Sequence, residues 1–492
     1  MNALGLTQCI RSQAKWPLYS VAQTREIELH AQATLPAYTL MQRAGLASAQ
    51  LALAIAPHAQ KIWIACGPGN NGGDGLEAAV HLHALGKQPI VTWLGNDDQG
   101  PDDAKQARQR AKTAGVIFAE HPPQEFDLAI DALLGIGTQR APEGLLAQWL
   151  SALQTTTSPV LCVDIPTGLN ADTGKWLSNA SAYHTNHHRH TLSLLTLKPG
   201  LFTADGRDVA GQVWFNDLHV DTAQPPTAWL QQNVVAQNAR PHNTHKGSYG
   251  DVSILGGAPG MSGAAALAAV AALHGGAGRV FAGVIDGSAH HGITAAHPAL
   301  MVRAPEEINL HISTVVAGCG GGDDIYPFMP QTLSSSQQLV LDADALNTIA
   351  RDTSLQSFLK KRSVRHKPTV LTPHPLEAAR LLNCTAHDVQ RNRLHAAQRL
   401  AQMYECVVVL KGSGSVITSP HHTPVINGAG NALLATAGTG DVLAGLIGAY
   451  IARDGDTFEA TCQAVFAHGQ VADRWPNDGA ALDAASLAAS VR

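Results

Sequence analysis

Short apolar runs at 61–65, 89–93, 127–130 and 159–163 alternate with helical spacing at 76–85, 102–113 and 143–153. Such alternation predicts βαβ units on a parallel sheet covered on both faces. A long helical pattern over 24–55 precedes them, and 212–220 reads as a last strand. Asp221-Thr222-Ala223-Gln224-Pro225-Pro226-Thr227 then has linker composition. A second α/β series follows, with strands expected at 251–255 and near 279–284, 314–317, 338–341, 368–371, 406–410 and 415–418. No short-period repeat is visible. Two α/β domains are predicted, 1–225 and 226–492, and a chain of 492 residues has length for two cores.

The formal charge of −5 is mild and supports neither a nucleic-acid nor an anionic-membrane partner, where basic patches are expected. No apolar stretch reaches membrane-spanning length without Gly, Pro or charge, and the first residues lack a basic segment followed by a long apolar core. Seven cysteines are scattered at 9, 66, 162, 319, 384, 406 and 462 without a Cys-x-x-Cys, which suits reduced thiols in the cytoplasm.

Candidate chemistry sits at strand ends. Gly67-Pro68-Gly69-Asn70-Asn71-Gly72-Gly73-Asp74-Gly75 follows the apolar 62–66, and a helix is expected from Leu76. Few side chains let a ligand approach the backbone, glycines permit positive φ, and the helix start favours an anion, so a nucleotide-like ligand is expected. A plain βα turn is the alternative, and the Rossmann dinucleotide fingerprint is matched only loosely. Asp131 follows a run ending at Ile130, and Asp164-Ile165-Pro166-Thr167-Gly168 follows 159–163. In an open parallel sheet Asn71, Asp131 and Asp164 then converge on one crevice. Each aspartate taken alone is also an ordinary cap or turn residue.

In the second half Cys406-Val407-Val408-Val409-Leu410 runs into Lys411-Gly412-Ser413-Gly414-Ser415, which suits a nucleotide phosphate. Ala437-Gly438-Thr439-Gly440-Asp441 opens an apolar helix, leaving N–H groups free for an anion and Asp441 as a base toward a hydroxyl. No Walker motif is present, and a glycine-rich cap favouring the helix dipole is the alternative. Asn186-His187-His188-Arg189-His190 has no interleaved Cys, Asp or Glu and reads as a solvated loop, while His421-His422 falls in a hairpin turn. His374 follows strand 369–371 and is favoured as a substrate contact over a packed core histidine.

With these motifs, and with Leu197-Lys198-Pro199-Gly200-Leu201, the chain from about Tyr19 resembles the bifunctional NAD(P)H-hydrate repair enzymes. In that family an NAD(P)HX epimerase is fused to a nucleotide-dependent NAD(P)HX dehydratase. The resemblance implies a Rossmann-like three-layer sheet followed by a ribokinase-like domain. Further family elements are His245-Lys246-Gly247-Ser248-Tyr249-Gly250, Gly260-Met261-Ser262-Gly263-Ala264-Ala265, His297-Pro298, Asp342-Ala343-Asp344-Ala345-Leu346 and Leu371-Thr372-Pro373-His374-Pro375-Leu376-Glu377. It assigns the epimerase substrate to Asn70, Asn71, Gly72, Gly73, Asp74, Gly135, Ile136, Gly137, Thr138, Gln139, Arg140, Ala141 and Asp164. Asp164 is its acid/base residue, and K⁺ falls to Asn71, Asp131 and Thr167. Dehydratase substrate contacts fall to Ala264, Gly320, His374 and the base Asp441, and nucleotide contacts to Lys411, Gly412, Ser413, Gly414, Ser415 and Gly440. Mg²⁺ accompanies ADP or ATP, the choice between them left open, as are NADHX against NADPHX preference and a homo-oligomeric state. Two departures stand out: Gly318-Cys319-Gly320-Gly321-Gly322 replaces the usual Gly-Pro-Gly-Leu-Gly, and Thr167 stands where serine is usual. The rival readings are a vitamin or sugar kinase fused to a nucleotide-binding module, and a noncatalytic module reusing the first fold.

Overall fold

The computed structural model describes residues 5–10, 15–95, 100–177, 188–232, 242–476, 479 and 481–491. The chain divides into two compact units, one of Met1–Ser12 with Trp16–Ala228 and the other of Gln13–Lys15 with Trp229–Arg492.

In the first unit Lys61–Cys66 is the central strand, with Gln88–Trp93 on one side and Leu128–Ala132 on the other, all parallel. Ile117–Ala119 lies beyond Gln88–Trp93. Beyond Leu128–Ala132 come Val160–Val163, Arg189–Leu194 and Gln212–Asn216, with Gln8–Cys9 antiparallel at the edge. Ile62, Trp63, Ile64, Ala65 and Cys66 are all buried because helices cover both faces, so the strand reads as a continuous apolar run. The chain leaves Lys61–Cys66 in one direction and returns to its other side. A crevice therefore opens at the carboxyl ends of Lys61–Cys66 and Leu128–Ala132.

Several expected elements are corrected. The helix after Lys61–Cys66 starts at Asn70, not Leu76, and none of the glycines at 67–75 has positive φ. Their function is close approach. A Cβ at Gly72 would lie 1.9 Å from the Gly67 carbonyl oxygen, and one at Gly75 would lie 2.5 Å from the Ala132 Cβ. The helical stretch over 24–55 is two helices, Val21–Thr34 and Thr39–Ile55, broken where Pro36 ends helix and Tyr38 takes φ of 70°. The histidine-rich segment is not all loop: Arg189 and His190 begin strand Arg189–Leu194, and the Trp214 indole N–H donates to His190 Nδ1 at 3.2 Å. His188 is exposed, and His187 lies outside the described residues. The last strand stops at Asn216 rather than 220.

The second unit orders its strands Met301–Arg303, Arg279–Val284, Asp251–Gly256, Thr314–Ala317, Gln338–Leu341, Thr369–Leu371, Val407–Leu410, Val416–Ser419 and His422–Asn427. Ala228–Gln231 then pairs parallel to His422–Asn427. The strands are parallel as far as Val407–Leu410, and Val416–Ser419 with His422–Asn427 forms a hairpin whose turn holds His421. Its switch point lies between Asp251–Gly256 and Thr314–Ala317. Helix Thr439–Asp454 packs tightly on Ser262–His274, since a Cβ at Gly445 would sit 2.0 Å from the Ala268 carbonyl oxygen. That contact fixes the helix whose first turn carries Asp441. Among the described residues no helix is long and apolar enough to cross a membrane. All seven cysteines are unpaired.

Candidate active sites

The first crevice is a cavity of about 840 Å³, within the usual range for small-molecule sites. Asn70, Asn71 and Asp74 line it from one side, the stretch from Gly135 to Ala141 from another, and Asp164 from its floor. Gly72 and Gly73 are buried in the helix instead, where the Gly73 N–H donates to the Gly69 carbonyl. Thr138 shapes the second wall, its hydroxyl donating to the Gly135 carbonyl at 2.8 Å.

Asp164 has φ of 63°, a left-handed conformation costly for a residue with Cβ and often found at functional sites. It is held there by its N–H to the Leu192 carbonyl and by the Leu194 N–H to its Oδ1 at 3.1 Å. It does not cap the following turn, because the Thr167 N–H goes to Asp131 Oδ2. The Lys198 ammonium pairs with Asp164 Oδ1 and also donates to the Leu194 carbonyl at 2.7 Å and to Ser193 Oγ at 3.4 Å. Lys198 is wholly buried. Burial first, then the carboxylates of Asp164, Glu28 and Asp103, push the Asp74 carboxyl well above its usual range. Glu28 is raised likewise, by burial first and then by Asp164. The crevice thus gathers several carboxyls around one ammonium, a set suited to holding and moving a proton.

Beside it, the buried Asp131 carboxylate accepts the Thr167 hydroxyl at 2.6 Å, the Thr167 N–H at 3.0 Å and the Leu133 N–H at 3.3 Å. Desolvation raises its pKa against those donors. Asn71 is buried nearby with its amide nitrogen unpartnered. A buried carboxylate, a hydroxyl and an amide with freedom to turn its oxygen inward fit a weakly hydrated hard cation.

The second crevice centres on Asp441, in the first turn of Thr439–Asp454, whose N-cap Gly438 has φ of 89°. Lys411 crosses under this turn: its ammonium donates to Asp342 Oδ1 at 2.6 Å, and a Cβ at Gly440 would come within 3.3 Å of it. The expected phosphate lysine is therefore also the partner of a buried aspartate, which the Thr372 hydroxyl binds at 2.8 Å. Burial, with Asp342 adding to it, pushes the Asp441 carboxyl up to about 6. Gly320 has φ of 58° and abuts Ala264, whose Cβ would be 2.8 Å from a Cβ at 320. His374 caps helix Pro375–Leu382: its Nδ1 accepts from the Leu376 and Glu377 N–H groups, and Nε2 lies 3.2 Å from Glu377 Oε1. Both ring nitrogens are thus engaged, and the ring stays partly exposed.

Sequence reasoning left three supports unassigned. Lys198 lies in the Leu197-Lys198-Pro199-Gly200-Leu201 element, which gave its charge no role. Glu28, on the cavity side of Val21–Thr34, carries no pattern of its own. Arg393 is buried in helix Arg393–Tyr404 and holds the nucleotide loop by donating to the Leu410 carbonyl at 3.1 Å and the Lys411 carbonyl at 3.2 Å. Nothing local marks it.

Residues 37–200 match the model of the YjeF-related protein N-terminus, and residues 252–491 match that of NAD(P)H-hydrate dehydratase. A bifunctional NAD(P)H-hydrate repair enzyme of Escherichia coli is 36% identical over 463 residues, covering 89% of this chain and 85% of that protein. The one from Coxiella burnetii is 32% identical, covering 94% and 95%. The chain belongs to the bifunctional NAD(P)H-hydrate repair enzymes. It is accordingly an isomerase joined to a lyase, repairing hydrated nicotinamide dinucleotides by epimerisation and nucleotide-dependent dehydration. The ADP/ATP-dependent NAD(P)H-hydrate dehydratase of Bacillus subtilis, crystallised with ATP/Mg²⁺, is 27% identical, with TM-score 0.45, covering 51% of this chain and 91% of that one.

Proposed function

We propose that the first crevice interconverts the R and S hydrates of NADH and NADPH, and that the second dehydrates the S form with ADP or ATP as phosphoryl donor. The halves are divided near residue 225. The observation that carries this reading is the Asp441 carboxylate, raised to about 6 at a helix start with an ammonium beneath it. That is a base poised near neutrality beside donors for a phosphoryl group.

Asp441 takes the proton of the ring hydroxyl as its oxygen attacks the terminal phosphorus, and the nucleotide departs one phosphate shorter. The carbon–oxygen bond then breaks as the ring nitrogen supplies its electron pair. Phosphate leaves, and a proton lost from the adjacent ring carbon restores the dihydronicotinamide. Phosphorylation is needed because hydroxide is a poor leaving group. The loop from Lys411 to Ser415 with Gly440 binds the nucleotide, while Ala264, Gly320 and the exposed side of His374 bound the nicotinamide end. Mg²⁺ travels with the phosphates. The group formed by Cys319, Asp342 and Asp441, with ligand atoms within 4.8 Å of one another, does not suit it: a thiol is soft, and Asp342 is paired with Lys411.

In the first crevice Asp164 takes up and returns a proton as a bond at the hydroxyl-bearing carbon breaks and re-forms on the opposite face, with Lys198 paired to its carboxylate. Asn71, Asp131 and Thr167 would hold K⁺, which supplies positive charge against the dinucleotide phosphates. The protein works in the cytoplasm. Asp441→Asn is expected to lower dehydration turnover by roughly 10²-fold or more with nucleotide affinity little changed. Near-normal turnover in that variant rules the base out.

A further inference from the structure

The loop after strand Thr314–Ala317 carries a buried thiol that the reaction sketched above does not use. The Cys319 sulfur and the Asp342 and Asp441 carboxylates have ligand atoms within 4.8 Å of one another, which sets the buried thiol against the Asp441 carboxylate. Its backbone is pinned on both sides. The Gly318 N–H donates to the Leu255 carbonyl at 2.9 Å, the Cys319 carbonyl accepts from Gly257 at 3.0 Å, and the Gly320 carbonyl accepts from Ala258 at 2.7 Å. Gly318 and Gly320, with φ of 114° and 58°, give the turn that aims the side chain at the helix start. Cys319 is fully buried, and burial pushes its thiol well up, so it is neither a nucleophile nor a redox sensor.

We infer that Cys319 is a positioning residue of the dehydratase, its S–H fixing the orientation and charge of the Asp441 carboxylate. This rests on Asp441 being the base. The other groups facing Asp441 do not take that place. Asp342 and Asp344 repel its charge, and Lys411 attracts it while bonded to Asp342. Asp344 itself accepts from the Gly322 N–H at 2.8 Å. Farther out, His374 and Glu377 pair with each other, and His468 bonds the Thr439 carbonyl at 2.9 Å. A thiol is a weak donor, so it orients the carboxylate without competing strongly when the substrate hydroxyl arrives.

The sign follows from the donor. Removing a hydrogen bond to the ionised form favours the neutral acid, so the pH below which dehydration falls must rise. The test is the pH–rate profile of S-hydrate dehydration by the full chain in wild type, Cys319→Ala, Cys319→Ser and Asp441→Asn. In Cys319→Ala the acidic limb is expected to move up by about half to one pH unit, roughly a threefold to tenfold loss at low pH, with the nucleotide KM within about threefold. Cys319→Ser keeps a donor and the volume, so its limb stays at the wild-type position or moves lower. An unmoved limb in Cys319→Ala overturns the inference. Should Cys319→Ala fail to fold, a Cys319→Ser limb above wild type overturns it equally. Full turnover in Asp441→Asn would instead remove the base on which the inference rests.

Discussion

Lys198→Met cuts the first site at the buried ion pair between Lys198 and Asp164. The Lys198 side chain is 0% exposed and Asp164 is 15% exposed, so water compensates the loss of the partner only slightly. Methionine fills the same space but leaves the Asp164 carboxylate uncompensated, near Glu28, Asp74 and Asp103. It also empties the contacts to the Leu194 carbonyl and Ser193 Oγ. Breaking a buried pair by removing one partner costs about 3–5 kcal/mol, and the partial exposure of Asp164 places this case near the lower end. An opening free energy lowered by about 3 kcal/mol is roughly a hundredfold faster amide exchange where opening is shared. The assay is hydrogen–deuterium exchange of the full chain, read on strands Val160–Val163 and Arg189–Leu194. Lys198→Met should speed exchange there, and Asp164→Asn combined with Lys198→Met should recover most of the loss because no charge is left buried. Wild-type protection in the single variant, or no recovery in the double, would refute the pairing energetics.

Gly75→Ala should destabilise the first unit by about 1–2 kcal/mol despite better helix propensity, because its Cβ meets Ala132 at 2.5 Å and Cys66 Sγ at 3.0 Å; urea unfolding by fluorescence checks it. His374→Ala should cost about 1 kcal/mol of stability by losing the cap, and His374→Asn should restore it. Dehydration that stays low in His374→Asn identifies a substrate contact, and full recovery leaves only the cap. Asp131→Ala should weaken K⁺ activation and epimerase substrate binding together, and replacing K⁺ by Li⁺ in wild type should mimic both effects.

Most strands of both sheets were legible because parallel strands buried on two faces carry unbroken apolar runs, as at 62–66 and 407–410, but the interior strands Arg189–Leu194 and His422–Asn427 were not. Edge strands such as Ile117–Ala119 and Met301–Arg303 were not, being short and only partly buried. The glycines at 67–75 announced a special site but not its form: the sequence pattern suggested a loop of unusual φ, while the need is for a helix pressed against strand ends. Asp131, Asp164 and Asp441 were legible from their strand-end or helix-start positions. What surrounds them was not. Lys198 reaches Asp164 across 34 positions, Glu28 meets it from a separate helix, Arg393 holds the nucleotide loop from 17 and 18 positions away, and the Lys411–Asp342 pair joins residues 69 apart. His374 shows the opposite limit, since a Thr-Pro-His-Pro element fits a cap as well as a ligand contact.

The central claim, that one chain divides epimerisation and dehydration between two sites, is tested by a mixture of R and S hydrates supplied with ADP or ATP, following recovery of the dihydronicotinamide absorbance. Wild type should convert the whole mixture. Asp164→Ala should consume the S form at the wild-type rate and then stall at the slow spontaneous epimerisation, and Asp441→Asn should recover almost nothing. Complete conversion by Asp164→Ala at the wild-type rate would contradict the account.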